Sequence, residues 1–181
     1  QTELEDGQPI RHELPGYRVY EIAGVSHVPV FINNLRDLGA ARQNPITWQP
    51  VAKAMLRHLA AWISEGTEPP PPHYLEGPIG PDGVIQLQYD EDGNVLGGLR
   101  LPHMATLLPS GEWAGAPLGL YTGYEPNLDQ PRFGYAPQGG TFDPFSAEEL
   151  ARRYPTREVY VERVQRAAAA LLAGGYILEE D

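Results

Sequence analysis

The run Pro69-Pro70-Pro71-Pro72 limits this chain more than any other feature. Four successive prolines offer no backbone N–H and hold φ near about −65°, so the segment can be neither helix interior nor central strand. It must be an extended polyproline stretch, and it divides the chain into residues 1–68 and 69–181. On the N-terminal side, Tyr17-Arg18-Val19-Tyr20-Glu21-Ile22-Ala23 alternates large and polar residues and ends on Gly24, which predicts a strand running into a tight turn. His27 then falls just past the strand's C-terminal end. From Pro50, Val51, Met55, Leu59 and Trp62 with Ala52, Leu56 and Ile63 recur at helical spacing until Gly66, predicting a core-facing helix.

Beyond the prolines, Val84–Tyr89 and Val95–Leu99 flank Asp90-Glu91-Asp92-Gly93-Asn94, the pattern of a β-hairpin closed by an Asp-Gly turn. Residues 100–145 are rich in Gly, Pro and Tyr. Long ordered loops are expected there, anchored by Leu101, Leu107, Leu108, Trp113, Leu118, Tyr121 and Phe142. Ser146 followed by Glu149 forms a capping box for a short helix that ends before Pro155. Thr156 caps a second helix with Tyr160, Val164, Ala167, Ala168 and Leu171 as its apolar stripe, Arg157, Glu158, Glu162, Arg163 and Arg166 at solvated positions, and Gly174-Gly175 at its end.

Charge narrows the function classes. Thirteen basic against 24 acidic residues leave a formal charge of −11, which opposes binding to nucleic acid or an anionic membrane surface. With no cysteine, disulfides, thiolate catalysis and thiolate-ligated metals are excluded, and the compartment stays open. No apolar run approaches the roughly 20 residues that span a bilayer, and the Gln1-Thr2-Glu3-Leu4-Glu5-Asp6 start is acidic where a signal peptide is basic then apolar. A first residue other than Met suggests a processed or truncated polypeptide.

Among five histidines, His27 is the candidate for chemistry, because a strand end presents a side chain into a cleft. His58 lies inside the helix, and His12, His73 and His103 read as surface or buffering residues. Ser26 beside His27 invites a Ser–His pair, but adjacent side chains point in different directions. The chain contains no G-x-S-x-G, no P-loop and no strand-linked G-x-G-x-x-G. Asp90, Asp92 and Asn94 open like a calcium loop, yet Val95 stands where that loop needs Gly and Leu101 where it needs Glu. A hairpin turn is the better reading, and no metal or other cofactor is expected. Glu179-Glu180-Asp181 reads as a solvated acidic tail.

The strings Tyr17–His27 and Asp90-Glu91-Asp92-Gly93-Asn94-Val95-Leu96-Gly97-Gly98-Leu99-Arg100-Leu101-Pro102 resemble the C-terminal part of a family of bacterial alpha/beta hydrolase domain-containing proteins. The resemblance continues through Asn44-Pro45, Trp62 to Pro70, Tyr121-Thr122-Gly123-Tyr124, Gly140 to Phe145 and Tyr160 to Asp181, nearly the whole chain in order. The family usually has Trp where this chain has Tyr124, and the stretch from Leu107 to Gly119 looks longer here.

The resemblance implies an α/β fold made of the C-terminal portion of an α/β-hydrolase. Residues 1–68 would be the end of the core, with the last sheet strand, the His loop and the following helix. Residues 69–181 would be an extension with the hairpin, the long loops and two helices. It implies that His27 is the triad histidine and that the Ser and acid precede Gln1, since these folds run Ser, acid, His. Asp6, Glu13 and Asp37 are weaker candidates for the acid. Tyr121 and Tyr124 are candidate substrate-lining residues. The implied reaction is hydrolysis of a small ester-like substrate, with the N-terminal remainder of the hydrolase as partner. The competing reading is a non-catalytic binding module whose Tyr-rich loops meet a ligand.

Overall fold

The computed structural model describes residues 15–27, 44–123 and 139–181, with the backbone of residues 4, 5, 8 and 9 as an additional antiparallel pair, β1 (Leu4–Glu5) with β2 (Gln8–Pro9). Its helices lie where the sequence puts them. Helix α1 (Gln49–Glu65) has Pro50 in its first turn and closes on Gly66 in the left-handed region. Helix α2 (Ala147–Arg153) is capped by Ser146, whose hydroxyl accepts the Glu149 N–H at 3.1 Å. Helix α3 (Arg157–Ala173) is capped by Thr156, which accepts the Val159 N–H at 3.4 Å. The Glu149 carboxylate turns to Arg152 and Arg153, whose guanidinium groups hold its pKa down at about 2.

The faces of α1 differ from expectation. Val51 and Ala54 are buried, whereas Leu56, Leu59 and Ile63 are exposed. Only the N-terminal half of the stripe reaches the core. Further along, Trp62 is covered by the Arg18 guanidinium, 5.3 Å above its ring. The acidic tail is a second correction. Glu180 and Asp181 pair with Arg57 and Lys53, which stand one turn apart on α1 and supply the cations that a solvated tail would lack.

The Tyr17–Ala23 segment is extended, but its pairing among the described residues consists of two isolated parallel contacts, Tyr20 with His73 and Ile22 with Leu99. The reason lies in its partners, where prolines and glycines interrupt any longer ladder. Tyr hydroxyls hold the polyproline stretch instead. Tyr20 donates to the Pro70 carbonyl at 2.5 Å and Tyr176 to that of Pro71 at 3.3 Å.

The predicted hairpin is present, with Tyr89 opposite Val95, and a third segment closes on it. Glu76 N–H donates to Leu96 O (2.9 Å), Leu96 N–H to Gln88 O (2.8 Å), and Gln88 N–H to Glu76 O (2.9 Å), so three extended segments form a ring. Glycine at 97 permits this. A Cβ there would lie 2.6 Å from the Glu76 nitrogen, and its φ of +74° is one that other residues resist.

The described residues of the 100–145 stretch are less irregular than the composition suggests. They contain two antiparallel pairs, β3 (Thr106–Leu107) with β4 (Trp113–Ala114), and β5 (Gly119–Tyr121) with β6 (Phe142–Pro144). Leu101 and Tyr121 are buried as expected, but Leu107 and Trp113 are exposed and anchor nothing. The core gathers Ala23, Ile46, Val51, Val95, Leu99, Leu101, Met104, Tyr121 and Leu171 from every part of the described chain. No helix among the described residues is long and apolar enough to cross a membrane.

His73 binds the C-terminal end to this core. Its ring stands edge-on to Tyr176 at 4.7 Å, and burial lowers its pKa because the cation would be poorly solvated. A histidine that resists protonation when folded is more readily protonated when unfolded. Stability is therefore complete above the ordinary value of about 6.5 and declines as pH falls through it. Replacing His73 by Phe keeps the ring contact and removes the proton. The loss of unfolding free energy between about pH 7.5 and 5.5 is expected to be smaller in His73→Phe than in the parent, measured by urea titration at each pH. Parallel curves would refute this role.

Candidate functional site

The loop carrying His27 is built from buried backbone. Ala23, Gly24 and Ser26 are inaccessible, while His27 itself is exposed. Gly24 has φ +61°, and a Cβ there would come 2.6 Å from the Met104 methyl, so both the turn and its packing demand glycine. Ser26 faces inward, its hydroxyl 3.5 Å from the Ile46 carbonyl. The neighbouring hydroxyl is thus directed into the core, away from the exposed surface.

Asn44, wholly buried, fixes this loop. Its amide donates to the carbonyls of Gly24 (2.5 Å) and Thr122 (2.9 Å), and its oxygen accepts the Ile46 N–H (2.9 Å). On the other flank the Trp48 indole N–H reaches the His27 carbonyl at 3.4 Å. Trp48 is also the N-cap residue of α1, so the loop sits at that helix's N-terminal end. Among the described residues no hydrogen bond engages the His27 imidazole. The arrangement fixes the backbone and leaves the ring facing solvent, which suits proton exchange with a group brought to it.

Tyr121 and His27 are brought near each other only through backbone. A Cβ on Gly24 would approach the Tyr121 carbonyl at 3.4 Å, and one on Gly123 would lie 2.6 Å from the Val25 carbonyl, so the two loops are in close contact. The Tyr121 ring itself is buried, stacked on Phe142 at 4.9 Å, and its hydroxyl accepts the Leu118 N–H at 3.4 Å. Burial raises its pKa. Tyr124, His12 and the candidate acids Asp6, Glu13 and Asp37 lie outside the described residues.

The other histidines take structural positions or stand apart. The His58 Nε2 lies 2.8 Å from the Gly175 carbonyl, His73 packs on Tyr176, and His103 is exposed. The turn that resembles a calcium loop uses its carboxylates internally. Asp90 accepts the N–H groups of Asp92 (3.0 Å) and Asn94 (2.9 Å) and pairs with Arg100 at 2.5 Å, while Asp92 pairs with Arg153. The described residues contain no group of three or more His, Asp or Glu side chains suited to hold a metal.

Asn44 is the residue that single-site reasoning overlooks. Its sequence signal is limited to preceding Pro45, because nothing local marks an amide destined to bridge segments 20 and 78 positions away.

The chain belongs to the alpha/beta hydrolase domain family, whose model matches residues 1–181. Its class of activity is accordingly hydrolase-type, on a mixed α/β fold. No curated protein and no solved structure matches it.

Removing the Asn44 amide orphans the buried Gly24 carbonyl, the half-buried Thr122 carbonyl and the buried Ile46 N–H. Asn44→Ala is expected to cost about 2–4 kcal/mol. Asn44→Asp is isosteric, but it sets a carboxylate oxygen against the Gly24 and Thr122 carbonyls and should be no milder. Denaturant unfolding of both variants measures this, and a change within about 0.5 kcal/mol would show that Asn44 does not hold the loop.

Proposed function

We propose that this chain is the C-terminal segment of a serine hydrolase of the α/β-hydrolase type, with His27 as its proton-transferring histidine. The observation that carries this reading is the placement of His27, exposed directly after the extended Tyr17–Ala23 segment on a backbone pinned by Asn44 and Trp48. The nucleophile and acid come from the N-terminal remainder of the hydrolase, because the family's chain order is Ser, acid, His and these 181 residues contain no G-x-S-x-G.

In the complete site, His27 takes the proton of the serine hydroxyl as that oxygen attacks an ester carbonyl. The imidazolium returns the proton to the departing alkoxide, and the acyl-enzyme is then hydrolysed by water that His27 deprotonates. The substrate is a small ester or related acyl compound, and this chemistry requires no cofactor. Tyr124 lines the entrance in this reading. Tyr121, whose ring is buried in the core, meets the His27 loop through its backbone.

The test is turnover of p-nitrophenyl acetate by the natural protein and by its His27→Ala variant. The variant is expected to lose about a thousandfold or more in kcat, with unfolding unchanged because His27 is exposed. Full activity in the variant would end the triad assignment and favour the binding-module reading.

A further inference from the structure

A cleft of about 490 Å³ lies between the Asp90–Asp92 turn, the β3–β4 hairpin and helix α3, on residues separate from the His27 loop. Trp113, Ala105 and Pro117 supply its apolar surface, and Arg153 and Arg163 contribute the cations. These two guanidinium groups differ in one respect. Arg153 is saturated, holding Asp92 and Glu149 and lying 4.3 Å over the Phe145 ring. Arg163 meets no carboxylate among the described residues and rests only against the Tyr154 ring, 5.8 Å from its centre. Its backbone carbonyl accepts the Gly115 N–H at 2.9 Å, which ties α3 to the hairpin that carries Trp113. A partly buried cation with no counter-ion among the described residues and a half-exposed indole thus share one cleft with their backbones already fixed.

We infer that this cleft binds an organic monocarboxylate with a flat apolar body, the carboxylate on the Arg163 guanidinium and the body against Trp113. The fork of an arginine matches a carboxylate with two charge-assisted hydrogen bonds, and an indole offers a large face at low entropic cost. The acidic wall sets the charge of the ligand. Asp90 and Asp92 are already neutralised by Arg100 and Arg153, but Glu91 stands exposed at the turn and disfavours a second negative charge. A singly charged ligand is therefore preferred over a phosphate ester or a dicarboxylate. This site is independent of the hydrolase reading, since none of its residues takes part in it.

Phenylacetate is a suitable probe, followed by NMR through the Trp113 indole N–H signal, which is identified by its loss in Trp113→Phe. Saturable shifts with a dissociation constant on the order of 1 mM are expected for a ligand of this size. Neutral phenylacetamide, and phenylacetate with Arg163→Gln, are each expected to bind about tenfold or more weakly. Acetate should also require about tenfold more, because it lacks the body that covers Trp113. Trp113 is exposed and Arg163, though half-buried, lies outside the core cluster, so neither substitution removes a core contact, and far-ultraviolet circular dichroism checks folding. Equal affinity for phenylacetate and phenylacetamide, undiminished binding in Arg163→Gln, or no saturation by about 50 mM would each overturn the inference.

Discussion

The position of His27 depends on one buried primary amide. Asn44 spends both donors and its acceptor on three backbone groups from separate stretches of chain, Gly24, Ile46 and Thr122. A polar side chain with no solvent exposure is tolerable only when its hydrogen bonds are made, and that condition gives it authority over geometry. The Gly24 loop cannot shift without breaking a bond that water cannot replace. A hydrophobic residue at position 44 could fill the space, but it could not specify which carbonyls lie opposite one another.

A second amide works from the other side of the same strand. Asn94, also without exposure, accepts the Tyr121 N–H at 2.9 Å and donates to Gly119 at 3.2 Å. Residues 119–122 are therefore held by Asn94 on one flank and Asn44 on the other, and the stacked Tyr121–Phe142 pair lies at this junction. The turn that presents Asn94 is itself held by guanidinium groups. Arg100 on Asp90 and Arg153 on Asp92 connect the hairpin to its own outgoing strand and to α2. These pairs are largely shielded from water, so removing one partner would leave an uncompensated charge, which is far more costly than losing a solvated surface pair.

The parts of this fold governed by local rules were legible in the sequence. Ser146 and Thr156 announced the starts of α2 and α3, and Gly66 announced the end of α1, because a cap satisfies groups only a few residues away. The Asp90–Asn94 turn was legible for the same reason. The faces of α1 were not, since periodicity reveals that a stripe exists but not how much core there is to cover it, and Leu56 and Ile63 remained outside. The tail was misjudged because its cations, Lys53 and Arg57, are more than a hundred residues distant. At the candidate site, the exposed loop position of His27 followed from a strand signal and a glycine. The amide that fixes it did not, because a buried asparagine and a solvated one have the same local sequence signature.

This division of information also fits a division of labour in catalysis. A triad histidine needs its backbone fixed, its tautomer selected and its ring oriented. The described residues accomplish the first through Asn44, Gly24 and Trp48. They do not accomplish the other two, because no hydrogen bond from them reaches the imidazole. In the proposed hydrolase, the acid that accepts from one ring nitrogen and the serine that faces the other would therefore contribute orientation as well as chemistry. The backbone held by Asn44 and Trp48 would then be organised before the three members meet.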